Sequence, residues 1–373
     1  MKKTLTILLA VILAATFALS AFASETPSKE SVLKEIDSTV DYIADGISGY
    51  TVDSALDYYY LAKNSSKATS FYDAFLQSVK DNLAANSGKL VPIYGENATT
   101  YAAVIGIIDV MGGDPTNIDS VNLVELLENT DISTVSNPYY YNIVIPVAAN
   151  RCDEQFVKSL CDSFIADYYT VGSGMNYWGF SCDNTAMFIS AVAQSGLDCY
   201  DSILEDAVNI LNTYKTDGGY CYNPEYGTAP NVNSTAFALM AKCEYYSYKG
   251  TAADNTAELV DLYEALLTFR GETDGSFAYD GVESRYSAAD ALKGLNSFYS
   301  VLPDNTPDTP EDSDNKPDTK PETPVKVPTV GGADKNPEIP NTDSEISVIF
   351  AGLAALSVIV ATASLNKKKE NMD

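Results

Sequence analysis

The chain has 373 residues, with 51 aspartates and glutamates against 23 lysines and arginines, and a formal net charge of −28 at pH 7. So acidic a chain disfavours nucleic acid as a partner, because binding to phosphates needs a basic surface. The sequence contains no histidine, which excludes Ser-His-Asp and Cys-His nucleophilic mechanisms and any metal site with histidine ligands. Any catalysis therefore depends on carboxylates, tyrosines or lysines.

Both ends of the chain carry patterns of export and anchoring. Residues 1–23 have the basic start, apolar run and small-residue cleavage site of a secretory signal peptide. Residues 346–366 are apolar and long enough to cross a bilayer as one transmembrane helix. Lysines in the tail, residues 367–373, predict that this end is cytoplasmic. Residues 302–345 are rich in Pro, Asp and Thr and predict a disordered stalk. The expected location is the cell surface.

The stalk ends in a motif that resembles the sorting signal of Gram-positive surface proteins, in which an LPxTG-like pentapeptide precedes an apolar span and a basic tail. The five residues are Ile339, Pro340, Asn341, Thr342 and Asp343. Three of them match that pattern, whereas Asp343 stands where glycine is usual. The resemblance implies that a sortase cuts after Thr342 and joins the protein to the cell wall. Without cleavage, the apolar helix would remain as a membrane anchor.

The body of the chain, residues 24–301, reads as a series of paired helices. The first helix is marked by four apolar residues at helical spacing: Val32, Ile36, Val40 and Ile43. Residues 99–113 are apolar on all sides, which predicts an inner, doubly buried helix, and residues 120–130 are its expected outer partner. Such two-helix units recur about every 40–52 residues, which is typical of a solenoid or a closed ring.

Three copies of one pattern are clear when Thr185 is aligned with Thr235 and Ser287. In each copy a glycine- and aromatic-rich approach leads into an apolar helical stripe. The short DGGY and GSFAY elements within the approaches are predicted to form loops or strand pairs at the rim. The six cysteines permit up to three disulfides in an exported protein, and their spacing does not choose among pairings.

The segment WGF…DNTA, followed by two DG[GS][YF] units, resembles the terpenoid cyclase and protein prenyltransferase superfamily, a fold shared with cobalamin carriers and bacterial surface proteins. The resemblance implies an all-α fold, an α/α toroid of about five to six helical hairpins with inner helices around a central cavity. The zinc site of the prenyltransferases is not expected here, since it needs histidine, and no other metal site is predicted.

The same resemblance suggests one catalytic role. Cyclases that begin with a protonation use the middle aspartate of a DxDDTA sequence, and Asp183 occupies that position. Ser181 and Asn184 replace the flanking aspartates, however. Residues with oxygen side chains also cap helices, and we interpret Asp183 to Thr185 as such a cap. A glycosidase pair, Asp274 with Asp280 or Asp217 with Glu225, is a further alternative, although acidic rim residues are more often turns.

The aromatic residues around the repeats predict a binding cavity for a small molecule. The expected ligand-binding residues are Tyr177, Trp178, Phe180, Asp183, Tyr220, Tyr222, Phe277 and Tyr279. The sequence thus favours a surface-anchored, non-enzymatic protein that holds an apolar or amphipathic ligand in the toroid. No cofactor is expected, apart from the corrinoid-like ligand that the cobalamin carriers suggest. The alternatives are a cyclase-like enzyme using Asp183 and an adhesion or scaffold module that presents its rim loops.

Overall fold

The computed structural model describes residues 26–47 and 49–304. Within these residues the chain forms twelve α-helices, and its strands form three short hairpins, each made of two strands of two residues. The helices are α1 (Lys29–Ala44), α2 (Ala55–Ala62), α3 (Thr69–Ala85), α4 (Ala98–Val110), α5 (Leu123–Glu128), α6 (Tyr141–Arg151), α7 (Glu154–Tyr168), α8 (Cys182–Ala193), α9 (Asp201–Asn212), α10 (Val232–Tyr248), α11 (Thr256–Leu267) and α12 (Arg285–Val301).

The even-numbered helices form an inner ring. Each packs against the next from α2 to α12, and α12 returns to contact α2. The odd-numbered helices lie outside, with α5, α7, α9 and α11 each packed on the inner helix that precedes it. Helix α1 packs on α12 and so completes the last hairpin. The result is a closed ring of six helical hairpins, and the predicted helical toroid is confirmed for the described residues.

The burial patterns explain which helices lie inside. In α4, eleven consecutive residues from Ala98 to Ile108 are buried, because a helix that is apolar on all sides is stable only where protein surrounds it. In α1, burial is confined mainly to the stripe predicted from the sequence, since Val32, Ile36, Val40 and Ile43 are all buried. Both sequence predictions are confirmed.

The three hairpins lie immediately before α8, α10 and α12. They are β1–β2 (Tyr169–Thr170 and Gly174–Met175), β3–β4 (Lys215–Thr216 and Gly219–Tyr220) and β5–β6 (Ala278–Tyr279 and Val282–Glu283). Each one belongs to one copy of the sequence repeat. The prediction of strand pairs at DGGY and GSFAY is confirmed, since both segments contribute to these hairpins.

Close packing explains why glycine and threonine recur in the repeat. A Cβ atom on Gly174 would lie 2.6 Å from Thr185 Oγ1, and one on Gly219 would lie 2.5 Å from Thr235 Oγ1. The hairpin therefore rests directly on the first turn of the inner helix, where only glycine fits. The Thr235 hydroxyl also accepts a hydrogen bond of 3.0 Å from the backbone N–H of Tyr220.

The helix caps differ from the prediction. The N-cap of α8 is Ser181, whose hydroxyl accepts a 3.1 Å hydrogen bond from the backbone N–H of Asn184. Asn231 and Ser284 cap α10 and α12 in the same way. The interpretation of Asp183 to Thr185 as the cap is therefore wrong, because these residues already lie in the first turn. The Asp183 side chain contacts the neighbouring inner helix instead.

Gly275 precedes the last hairpin and lies directly against α1. A substitution at Gly275 tests this close contact. Its φ of +73° lies in the left-handed region, and an added Cβ atom would overlap the carbonyl oxygen of Ser38. We expect Gly275→Ala to lower the free energy of unfolding by at least ~2 kcal/mol more than Gly281→Ala. Gly281 is the matched control, because its φ is +76° but nothing lies within 4 Å, so that its cost is about 1–2 kcal/mol of backbone strain. Equal losses in urea denaturation would contradict the close approach to α1.

Several sequence predictions fall outside the described residues. These are the signal peptide at 1–23, the stalk from residue 305 onward, the sorting motif at 339–343, the apolar segment at 346–366 and the tail at 367–373. No helix in the part of the chain that is described has both the length and the apolar character needed to cross a membrane. All six cysteines are present as free thiols.

Candidate active site

Every loop that leads from an outer to an inner helix lies on one face of the ring, because the helices alternate in direction. We call this the N-terminal face, since the inner helices begin there; its described loop residues are 45–47, 49–54, 86–97, 129–140, 169–181, 213–231 and 268–284. The exposed large apolar side chains of the described residues gather in these loops, apart from Val110. They are Ile93, Tyr94, Val171, Trp178, Tyr226, Tyr279 and Val282. Their concentration on one face makes it the candidate binding surface.

Trp178 is held rigidly on this face. Its side chain is 64% exposed, and its ring stacks on Tyr177 with the centroids 4.7 Å apart. The backbone of Trp178 has a φ of +56°, and the Asn184 amide fixes it by donating hydrogen bonds to the carbonyls of Tyr177 (3.0 Å) and Gly179 (2.8 Å). The Tyr139 hydroxyl donates to Asn184 Oδ1 at 2.6 Å. An unusual backbone that is held so firmly is typical of a functional site.

Asp183 lies beside this aromatic group, in the first turn of α8. Its carboxyl group accepts a 2.5 Å hydrogen bond from the Ser234 hydroxyl of α10, and the residue as a whole is of intermediate exposure. Burial raises the pKa of Asp183 to about 7; the charge of Asp290 adds to this effect, while the Ser234 hydrogen bond and Lys293 oppose it. A carboxyl group that still carries its proton near neutral pH can act as a general acid.

A second carboxyl group, Asp57, enters the ring from the opposite side. It lies in the first turn of α2, which stands across the ring from α8, and only 8% of the residue is exposed. Burial raises the pKa of Asp57 to about 7, against the opposing charge of Lys293. Two carboxyl groups on opposite inner helices therefore share an unusual preference for the protonated form.

An ion pair from α12 lies between these two carboxyl groups. Lys293 Nζ is 2.7 Å from Asp290 Oδ1, and Asp290 Oδ2 accepts a 2.5 Å hydrogen bond from the Asn233 amide. The Lys293 ammonium also lies 5.1 Å from the ring centroids of Tyr60 and Phe237. Asp290 is fully buried, so it cannot contact a ligand directly. Its charge and that of Lys293 tune the neighbouring carboxyl groups.

The structure brings most of the predicted ligand-binding residues to the N-terminal face. Tyr177, Trp178, Phe180, Asp183, Tyr222 and Tyr279 all lie there and keep some exposure. Tyr220 and Phe277 belong to loops of the same face, but their side chains are buried, and their prediction as ligand contacts is wrong. Tyr220 is fully buried and Phe277 is 1% exposed, because both side chains pack into the hydrophobic core.

The acidic residues of the alternative glycosidase pairs, Asp217, Glu225, Asp274 and Asp280, are exposed residues of the rim loops. Asp57, Asp290 and Lys293 were not predicted from the sequence. The sequence did contain a signal for these three residues, because a charged residue within an otherwise apolar inner helix needs a partner or a function.

The centre of the ring is filled. The enclosed space inside it is lined by Tyr59, Tyr60, Asn142, Ser190, Met240 and Lys293, among others, and has room for about one water molecule. A wider and more open space of about 430 Å³ lies at the opposite end of the ring and is lined by Pro146, Asn150 and Glu244, among others. None of the predicted ligand-binding residues, Asp183 included, lines either space. We therefore look for the ligand of Asp183 on the open N-terminal face. No cluster of acidic residues and cysteines in this part of the chain is arranged to hold a metal ion.

The two raised carboxyl pKa values predict how stability depends on pH. Asp57 and Asp183 hold their protons more tightly in the folded protein than in the unfolded chain. Their contribution to stability is therefore fully present near pH 4 and is lost as the pH rises to about 7. We expect the free energy of unfolding to fall over this window by on the order of 2 kcal/mol for each group. Urea denaturation at pH 5 and pH 8 measures the fall, and the double variant Asp57→Asn/Asp183→Asn should remove most of it. An unchanged fall in that variant would contradict the assignment.

Comparison with known proteins identifies the fold. No protein-family model and no curated protein sequence matches the chain. A polysaccharide lyase of known structure matches with a TM-score of 0.52 and 12% identity, over 73% of this chain and 97% of its own. A family 88 glycosyl hydrolase from Bacteroides vulgatus matches with a TM-score of 0.52 and 14% identity, over 74% of this chain and 100% of its own. At these identities the likeness establishes the fold alone, and the coarse part of the predicted resemblance, an α/α toroid, is confirmed.

The comparison corrects the predicted function. Both structures are named as carbohydrate-active enzymes, whereas the sequence favoured a non-enzymatic holder of an apolar ligand. That prediction is wrong, and so is the preference for a protein without catalytic activity. The cyclase and scaffold alternatives have no counterpart among these two structures.

Proposed function

We propose that the chain is a carbohydrate-active enzyme that hydrolyses glycosidic bonds on the N-terminal face, with Asp183 as the general acid. The observation that carries this proposal is the Asp183 carboxyl group itself. Its pKa is raised to about 7 by burial, the residue as a whole is of intermediate exposure, and it lies next to a fixed aromatic group. The names of the two structural neighbours supply the class of substrate.

The chemistry follows from two carboxyl groups on opposite sides of the ring. Asp183 gives its proton to the oxygen of the leaving sugar. Asp57 takes a proton from the attacking water in those molecules in which it is deprotonated, about half of them near pH 7. In inverting glycosidases the attacking water lies between two such carboxyl groups, and α2 and α8 stand on opposite sides of the ring. The Asp290–Lys293 pair positions charge near both groups without touching the substrate.

The aromatic side chains provide the binding surface. The C–H face of a sugar ring packs well on a flat aromatic ring, and Trp178 offers such a ring at 64% exposure. Tyr226 and Tyr279 extend the surface over two further loops, at 60% and 39% exposure. Rigid aromatic side chains lose little conformational entropy on binding, which suits them to hold an extended ligand. The expected location at the cell surface would bring this face into contact with polysaccharides outside the cell.

Product analysis tests the proposal. The full-length protein is incubated with a panel of soluble polysaccharides, and both new reducing ends and the ultraviolet absorbance of unsaturated sugars are measured. We expect new reducing ends without unsaturated products, since hydrolysis adds water across the bond whereas a lyase eliminates it. Unsaturated products would show that the chain cleaves glycosidic bonds by elimination and not by hydrolysis. An absence of cleavage across uncharged and acidic polysaccharides alike would overturn the proposed function.

A further inference from the structure

We infer that the N-terminal face selects uncharged glycans and rejects those that carry uronic acids. This inference rests on the proposed function and names its substrate class. It comes from the distribution of charge around Asp183, which differs from what binding of a sugar carboxylate requires.

The cations near the centre of the ring are already engaged. Lys293 is paired with Asp290 at 2.7 Å and lies between the rings of Tyr60 and Phe237. Its charge also acts on Asp57 and Asp183, so one ammonium serves three carboxyl groups. A uronic acid placed at the bond to be cleaved would add a permanently ionised carboxylate near Asp290, and near Asp57 and Asp183 whenever these are deprotonated. Like charges at such short range repel strongly where water is partly excluded.

The loops of the N-terminal face add further negative charge. They contain three basic residues, Lys89, Lys215 and Arg270. Against these stand ten acidic residues: Asp45, Asp53, Glu96, Asp131, Asp217, Glu225, Glu272, Asp274, Asp280 and Glu283. A face with this excess of carboxylates repels a polyanion before it arrives, and the repulsion weakens as salt increases.

The basic side chains of these loops are directed away from Asp183. Lys89 pairs with Glu96 of its own loop at 2.8 Å, and Arg270 pairs with Glu35 of the outer helix α1. Lys215 lies on β3, and its charge acts on the Lys242–Glu258 ion pair between α10 and α11. Arg285, the first residue of α12, donates to the Tyr42 carbonyl of α1 at 3.5 Å. Within the described residues, the arginine fork that a sugar carboxylate prefers is thus absent from the centre of the face.

An uncharged sugar meets complementary groups instead. Its hydroxyls can donate to the carboxylates and exchange hydrogen bonds with the hydroxyls of Tyr222 and Tyr279, both of which lie near Asp183. Its apolar ring face packs on Trp178. The combination of carboxylate acceptors, tyrosine hydroxyls and one exposed indole suits a polymer of hydroxylated sugars without charge.

Trp178 allows this inference to be tested without catalysis. It is the single tryptophan of the chain, so its fluorescence reports binding at the site alone. The full-length Asp183→Asn variant is titrated with oligosaccharides of β-glucan, xylan and mannan, and with those of pectate and alginate. We expect at least one uncharged oligosaccharide to bind at least tenfold more tightly than either uronate. Raising the salt concentration should strengthen uronate binding and leave uncharged binding unchanged.

The outcomes separate the inference from the proposed function. Uronates that bind as tightly as the uncharged sugars would overturn the inference, as would a failure of all uncharged oligosaccharides to bind. If uncharged oligosaccharides bind to Asp183→Asn but the wild-type protein cleaves none of them, the inference holds and the proposed hydrolase activity is wrong. Calorimetry with Trp178→Ala should show at least a tenfold loss of uncharged binding. Val110→Ala is the matched control, since Val110 is exposed on the opposite face, and it should bind like the unchanged chain.

Discussion

Asp183→Asn is expected to slow glycan cleavage by a factor of about 10² to 10⁴, the contribution that a positioned proton donor typically makes. Asparagine keeps the shape of the side chain and an oxygen that can accept the 2.5 Å hydrogen bond from Ser234, but it has no acidic proton to give. Reducing-end assays measure the loss. Circular dichroism and thermal unfolding should show a folded protein of equal or greater stability, because a buried ionisable group has been removed.

Asp217→Asn is the matched control for this experiment. Asp217 lies on the exposed rim of the β3–β4 hairpin, so the same chemical change there should leave the rate within a factor of about two. The unchanged chain should also lose activity as the pH rises above about 7, since deprotonation of Asp183 removes the acid. Full activity of a folded Asp183→Asn protein would remove Asp183 from the mechanism.

Lys293→Met is expected to destabilise the protein by about 3–5 kcal/mol, the usual cost of leaving one partner of a buried ion pair without the other. Methionine fills similar space, but the fully buried Asp290 would lose the ammonium at 2.7 Å. Asp290 would then depend on the Asn233 amide. The midpoint of urea denaturation at pH 7 measures the effect.

The double variant Asp290→Asn/Lys293→Met distinguishes charge from packing. Removing both charges should restore at least half of the stability lost in Lys293→Met, because the buried carboxylate no longer needs a partner. Lys80→Met serves as the control, since Lys80 pairs with Asp119 on the surface and should change stability by at most ~1 kcal/mol. A double variant no more stable than Lys293→Met would indicate that Lys293 acts through its packing on Tyr60 and Phe237.

The helical ring was accessible from the sequence because its signal is periodic. The stripe from Val32 to Ile43 and the apolar run in α4 each depend on one helix and its burial, which local sequence reports directly. The repeat likewise revealed the hairpin in front of each inner helix. Closure of the ring was not accessible, since it depends on α12 meeting α1 and α2 across more than two hundred residues of chain.

The candidate site was predicted in part for the same reason. Tyr177, Trp178 and Asp183 are neighbours in sequence, and their motif marked them. Asp57 and Lys293 stand far apart in the chain and meet only when the ring is closed, so no local pattern joins them. Tyr220 and Phe277 were misjudged because the sequence shows an aromatic residue in a rim hairpin without showing whether it faces the solvent or the core.

Because α12 closes the ring, the domain can complete its fold only late in synthesis. The helix that supplies Asp290 and Lys293 is the last of the ring to leave the ribosome, while its packing partners α1 and α2 are the first. Until α12 arrives, α1 and α2 expose the apolar surfaces that it will cover, and contacts between such distant segments form slowly. The nascent domain must therefore remain incomplete almost to its final helix. The charges that tune Asp57 and Asp183 are in place only in a finished ring, so a partly synthesised chain lacks the arrangement on which the proposed function depends.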